Sequence, residues 1–186
     1  MQDTTNLQYD EATKPCHDIF IKKSKDYGTS WRVYRIISIA DQIFIKASRI
    51  RTIQEKGKQK IEDDILSEFT GIFNYAIMGL IQLDHPATEE SFEMEVDLLH
   101  KLYIEKVNLA KTLMQDKNHD YGEAWRLMSQ ESFADLILAK VLRIKQIIAN
   151  KGLTLVSEGI DANLYDIMNY SVFALILAKH PTEIQQ

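Results

Sequence analysis

The feature that most constrains this chain is that it contains the same stretch twice. Residues Lys23 to Ile53 and Lys117 to Ile147 match at a constant offset of ninety-four, with fourteen of thirty-one positions identical. The shared letters read K-x-x-D-Y-G-x-x-W-R, then S-x-A-D-x-I-x-x-K-x-x-R-I-x-x-I. One extra residue near Ala149 moves the offset to ninety-five. The match then resumes at Asn74-Tyr75 with Asn169-Tyr170 and at His85-Pro86 with His180-Pro181. An internal repeat has to be read before any fold is proposed. Two copies, 1–88 and 89–186, fill the chain, and what both retain is a polar set inside an apolar frame.

Each copy has the periodicity of three helices. In the first, apolar residues recur at three- and four-residue steps over 5–25, with Pro15 expected to start or bend that helix and Thr13 as its cap. Asp26-Tyr27-Gly28 ends it, since glycine accepts the left-handed backbone of many helix ends. A compact connection through Trp31 follows. A second helix is expected from Ile39 to about Lys56, capped by Ser38 and stopped by Gly57. A third is expected from about Glu62 to Leu83, with Glu62, Asp63 and Asp64 favouring its N-terminal dipole. The second copy repeats the plan over about Glu89–Asp116, from Ser129 or Ser132 to Lys151-Gly152, and from a Ser157 cap to His180. Leu153–Val156 is apolar but has no partner run, so it reads as a packed loop. The expected fold is all-α: six main helices in two three-helix units. A lone unit would leave apolar surface in water. Burial against its twin at about 25 cal/mol per Å² favours one compact domain with internal pseudo-two-fold symmetry.

Composition narrows the partners. A formal charge of −5 over 186 residues argues against coating nucleic acid, which needs clustered cations, but leaves room for a small anion held by a few Lys and Arg. The single cysteine, Cys16, permits no internal disulfide and suits a reducing interior. With no secretory leader and no apolar run long enough to span a bilayer, a cytoplasmic protein without a membrane partner is expected.

Chemistry is expected at the repeated polar positions. Lys140 and Arg143 share a helix face and can converge on phosphates, or pair with carboxylates of a neighbouring helix. Asp135 lies about 140° round from Lys140 and faces either a partner helix or a metal. Glu158 and Asp161, three apart, point the same way. With Asp135 from a facing helix they would form an oxygen-rich cage suited to Mg²⁺ or Mn²⁺; the plain alternative is carboxylates favouring a helix dipole. Trp125 either seals a core corner or stacks on a base, and Lys117 and Arg126 flank it as an anion pocket. Asn169 sits in an apolar run and so either bonds a neighbouring helix or reaches a ligand. Under the better alignment Asp161 matches Leu66 and Asp166 matches Gly71, which places any metal site in the second copy. No Ser-His-Asp order, glycine-rich phosphate loop or Cys-x-x-Cys is present.

The paired K-x-x-DYG-x-x-W, S-x-x-D-x-x-x-x-K-x-x-RI and D-x-x-NY elements resemble the all-helical DUF1599 family, the nucleotide modification associated domain 1, in a tandem-duplicated form. That family is distantly similar to helical nucleoside triphosphate pyrophosphohydrolases of the MazG and dUTPase type. The resemblance implies a MazG-like bundle holding a divalent metal against a nucleotide. Glu158-Gly-Ile-Asp161 fits the second acidic element of those enzymes, whereas the first is reduced to Glu131 and Asp135. The expectation is a nucleotide-binding protein with metal ligands Asp135, Glu158 and Asp161, which would also be its catalytic groups. Its ligand contacts would be Lys117, Trp125, Arg126, Lys140, Arg143 and Asn169. It either cleaves a (d)NTP to release pyrophosphate or binds nucleotide silently, with a helical scaffold as the bland reading and a homodimer left open.

Overall fold

The computed structural model describes residues 2–57, 64–90, 92–156 and 158–181. Six helices carry the fold: α1 (Gln2–Tyr27), α2 (Ile36–Lys56), α3 (Ile65–Asp84), α4 (Val96–Tyr121), α5 (Gln130–Ala149) and α6 (Ile160–Lys179). Short 3-10 turns at Ser30–Val33 and Ala124–Leu127 join the first two helices of each repeat. No strand occurs among the described residues.

The most extensive contacts run round a ring, α3 with α6, α2 with α3, α5 with α6 and α2 with α5, and α1 and α4 pair beside α3 and α6. Every element thus meets its counterpart in the other repeat. Ion pairs follow the same two-fold pattern. Lys145 Nζ lies 2.6 Å from Asp41, and Arg51 Nη1 lies 3.6 Å from Asp135; Arg51 and Lys145 are equivalent positions at the ninety-four-residue offset. Of the two readings of Asp135, it faces a partner helix. All four groups sit near solvent, so exchanging Asp41 for Asn should cost no more than about 1 kcal/mol in a denaturant titration.

Buried polar bonds tie the repeats together more tightly. Tyr103 from α4 donates its hydroxyl to Asn74 Oδ1 (2.8 Å), while Asn74 Nδ2 donates to the Cys16 carbonyl (3.0 Å). The twin arrangement has Tyr9 of α1 donating to Asn169 Oδ1 (2.9 Å), with Asn169 Nδ2 donating to the Ala110 carbonyl (3.0 Å). Burial pushes both phenols well above the ordinary tyrosine range and raises the Cys16 thiol to about 11.

Several element boundaries differ from expectation for identifiable reasons. α1 runs through Pro15, and the Thr13 hydroxyl bonds back to the Tyr9 carbonyl (3.0 Å) rather than capping an end. α2 begins at Ile36 without a side-chain cap, so Ser38 lies inside it, whereas Gly57 ends it in the left-handed region at φ 60°. Asp64 caps α3, accepting from the Ser67 amide (2.7 Å); Glu62 and Asp63 lie outside the described residues, as does Ser157. α4 starts seven residues later than expected from Glu89. The reason is a strap: Arg32 Nε donates to the Phe92 carbonyl (2.7 Å) and Arg32 Nη1 to that of His85 (3.1 Å). Glu93 accepts from the Thr29 amide and hydroxyl, and these two bonds hold its carboxyl below the usual range. The Leu153–Val156 loop is not packed, since Leu155 and Val156 are fully open to solvent.

At the α1–α4 contact, the His17 and His100 ring nitrogens meet at 3.0 Å. Desolvation, then the charge of His100, lowers the pKa of His17 against the opposing pull of Asp18. A folded-state value below the unfolded 6.5 means that its stability contribution is present above pH 6.5 and is lost as pH falls through the folded value. The melting temperature should therefore fall more between pH 7.5 and 5 for the native chain than for His17→Gln.

Candidate functional site

Each repeat builds a cleft between the C-terminal half of its first helix, the tryptophan turn and the N-terminal half of its third helix. Gly28 and Gly122 adopt φ 61° and 64°, a region that side chains with a Cβ rarely enter. That lets α1 and α4 stop sharply and turn Trp31 and Trp125 inward. The two clefts are equivalent residue for residue: all eleven residues lining the one in the second repeat have counterparts lining the one in the first. Their sizes are not equivalent. The first-repeat cleft measures about 660 Å³ and the second about 140 Å³.

Two substitutions account for much of the difference. In the second repeat Asp166, buried on α6, places one carboxylate oxygen 2.5 Å from Lys117 Nζ and the other 2.5 Å from Lys140 Nζ. Phe173, two turns further along the same face of α6, stacks on Trp125 with centroids 4.3 Å apart and planes at 6°. Gly71 and Met78 stand at these positions in the first repeat. There Lys46 crosses Gly71, its terminal carbons and Nζ 2.9–3.2 Å from where a Cβ would be, and reaches Glu68 at 2.9 Å. Arg49 binds the other oxygen of Glu68. Lys23, the counterpart of Lys117, lines the cleft and is exposed, with no ion-pair partner among the described residues. The rest of the wall is aromatic and amphipathic: Trp31, Tyr34, Tyr75 and Asn74, with Tyr27 at 70% exposure. The indole N–H groups of Trp31 and Trp125 are both buried without a hydrogen-bond partner among the described residues, so this feature is common to the two clefts.

The residues expected from the sequence are distributed rather than gathered. Lys117 and Lys140 meet on Asp166, and burial, which would lower the Lys117 pKa, is outweighed by that carboxylate, so it ends raised. Arg126 lies over the Trp125 ring at 4.3 Å and donates from Nη2 to the Thr5 hydroxyl and to Gln8, both at 2.7 Å. It fastens α1 to the second repeat. Both polar ends of Asn169 are held by neighbouring helices, so of its two readings the interhelical bond is realised. Arg143 does not join Lys140 but lines a third cleft, of about 580 Å³, with Glu158 and Asn163, beside the exposed loop.

The acidic residues do not converge. Lys140 meets Asp166 and Gln130 reaches the Ala174 carbonyl. This antiparallel register sets Asp135 some ten residues, about 15 Å of helix, from Asp161. Asp161 folds back toward Gly159 and acts electrostatically on Tyr165, whereas Glu158 acts on Lys117 and Tyr170. Among the described residues no three His, Cys, Asp or Glu side chains are grouped as metal ligands. The donor set expected for Mg²⁺ or Mn²⁺ therefore does not fit this arrangement.

The residues that sequence reasoning passed over are those of the open cleft: Lys23, Tyr27, Gly71 and Met78. The signal was present, because Gly71 opposite Asp166 is visible in the aligned copies, but it reads as poverty of acids rather than as space.

A duplicated helical bundle with one open and one filled copy of the same cleft is the class of protein that fold and site define. The profile of the family described as nucleotide modification associated domain 1 (DUF1599) matches residues 23–83 and 117–177, well over half of the chain, and the chain belongs to that family. No curated protein and no solved structure matches it.

Proposed function

We propose that the first-repeat cleft binds a nucleotide or closely similar small phosphorylated ligand, and that the protein serves nucleotide handling by binding rather than through the acidic trio expected from the sequence. The observation that carries this is the pairing, in one cleft of about 660 Å³, of two lysines with an aromatic wall. Lys23 and Lys46 are suited to phosphate as mobile point charges. Trp31, Tyr34 and Tyr75 offer faces on which a base can stack irrespective of its identity. The family's description, nucleotide modification associated, agrees with this ligand class.

The test is a calorimetric titration with ribo- and deoxyribonucleoside mono- and triphosphates. Because Lys23 is exposed and has no ion-pair partner among the described residues, Lys23→Ala should leave stability within about 0.5 kcal/mol yet weaken binding about tenfold, or 1.4 kcal/mol. Absence of binding by every nucleotide would overturn the reading. Pyrophosphate release with Mg²⁺ or Mn²⁺ would instead make the protein the hydrolase expected from the sequence.

A further inference from the structure

We infer that the second-repeat cleft is a self-filled copy of the first: Asp166 and Phe173 occupy, as parts of the chain, the places that the ligand's anionic group and planar ring take in the first repeat. The inference rests on the ligand reading above and adds the ligand's anatomy and a stoichiometry of one site per chain.

The argument is internal to the molecule. Lys117 and Lys140 retain the positions of Lys23 and Lys46, and the group they share is a buried carboxylate, held 2.5 Å from each ammonium. Trp125 retains the position of Trp31, and its ring face carries an aromatic plane at 4.3 Å and 6°. An anion between two lysines and a ring on a tryptophan are the two halves of a nucleotide's recognition. In the first repeat both occupants are missing at once. Gly71 supplies no carboxylate and Met78 no ring, and the cleft is larger by several hundred Å³.

Lys46 is not idle there. It spans Gly71 to reach Glu68, whose counterpart in the second repeat is Asn163. The carboxylate stands one turn earlier along the third helix, and over Gly71 the end of Lys46 lies across the place that Asp166 takes in the second repeat. A ligand anion entering that place would draw Lys46 off Glu68, which Arg49 continues to hold. Tyr27 and Tyr121 remain exposed in both copies, at 70% and 78%, where they flank the mouth of each cleft.

The chain has two tryptophans, one per cleft, so fluorescence reports each separately. Trp125→Phe leaves Trp31 as the only reporter, and Trp31→Phe leaves Trp125. Nucleoside mono- and triphosphates titrated singly should quench Trp31 with saturation and leave Trp125 unchanged. Adding Gly71→Asp with Met78→Phe to the Trp31 reporter should weaken binding at least tenfold while far-UV dichroism stays the same. The new Cβ meets the far end of the flexible Lys46 side chain at 2.9–3.2 Å, which has to swing aside to admit it. Adding Asp166→Ala with Phe173→Met to the Trp125 reporter should create a saturable response that was absent before.

The inference is overturned if the filled first cleft binds as tightly as the native one, or if Trp125 responds before its cleft is emptied. Should the emptied variant fail to fold, the filled first-repeat variant decides alone. A silent Trp31 reporter would sink the first-cleft function only. In that event a response gained by emptying the second cleft sustains the present inference, and no response there ends both.

Discussion

Asn169→Leu should lower the stability of this protein by about 2–3 kcal/mol. The substituted residue nearly keeps its volume, so the cost is polar rather than a cavity. The Tyr9 hydroxyl, fully buried, loses its acceptor 2.9 Å away, and the Ala110 carbonyl loses a donor at 3.0 Å. A buried hydroxyl stripped of its partner costs more than the bond contributed. Removing both partners should therefore recover part of the loss: Tyr9→Phe with Asn169→Leu should be less destabilised than the sum of the two single changes. Equilibrium urea unfolding of the four chains measures that difference. At this chain length the single change should lower the melting temperature by roughly 4–12 °C. Tyr9 belongs to the first repeat and Asn169 to the second, so calorimetry should show one transition moving as a whole. Two separable transitions, with only the second shifting, would show that the repeats are independent and that the crossed bonds contribute little.

That network also marks how far the sequence could be read. Six helices in two repeats were legible, because hydrophobic period, glycine stops and a constant offset are local or bookkeeping signals. Gly57 ends α2 as its position demands. What the letters conceal is which neighbour a polar residue meets. Asn169 inside an apolar run announces a partner without naming it; the partner is a tyrosine 160 positions away. Asp135 reads equally well as a metal ligand or as half of an interhelical ion pair, and the helix register that separates it from Asp161 is a tertiary fact. The same holds for the start of α4. Its first expected turns have helical letters, yet Arg32 and Thr29 capture Phe92 and Glu93, and α4 starts only after them. The open cleft escaped the sequence for a related reason. Acidic residues are visible as letters, whereas the room left by Gly71 and Met78 appears only when the two copies are superposed in space.

Asp166→Ala should cost about 2–3 kcal/mol, and the corresponding Glu68→Ala only about 1 kcal/mol. Both remove a buried carboxylate that holds two cations, so the difference lies in the cations. Lys140 is 11% exposed and has nowhere to carry its charge once Asp166 is gone, whereas Lys117, half exposed, can turn to water. Lys46 and Arg49 are 28% and 26% exposed and can both rehydrate. If the loss at Asp166 is the stranded charge of Lys140, then Asp166→Ala with Lys140→Met should regain most of it, since an apolar pair replaces a broken ionic one. Thermal unfolding of the two single and one double variant decides this; an additive double variant would mean that Asp166 acts through packing alone. The contrast bears directly on function. A carboxylate locked between a buried lysine and its neighbour is a permanent occupant, and the second cleft stays closed. A lysine that can leave Glu68 for water at little cost can leave it equally for a phosphate, which is what the open cleft requires of Lys46.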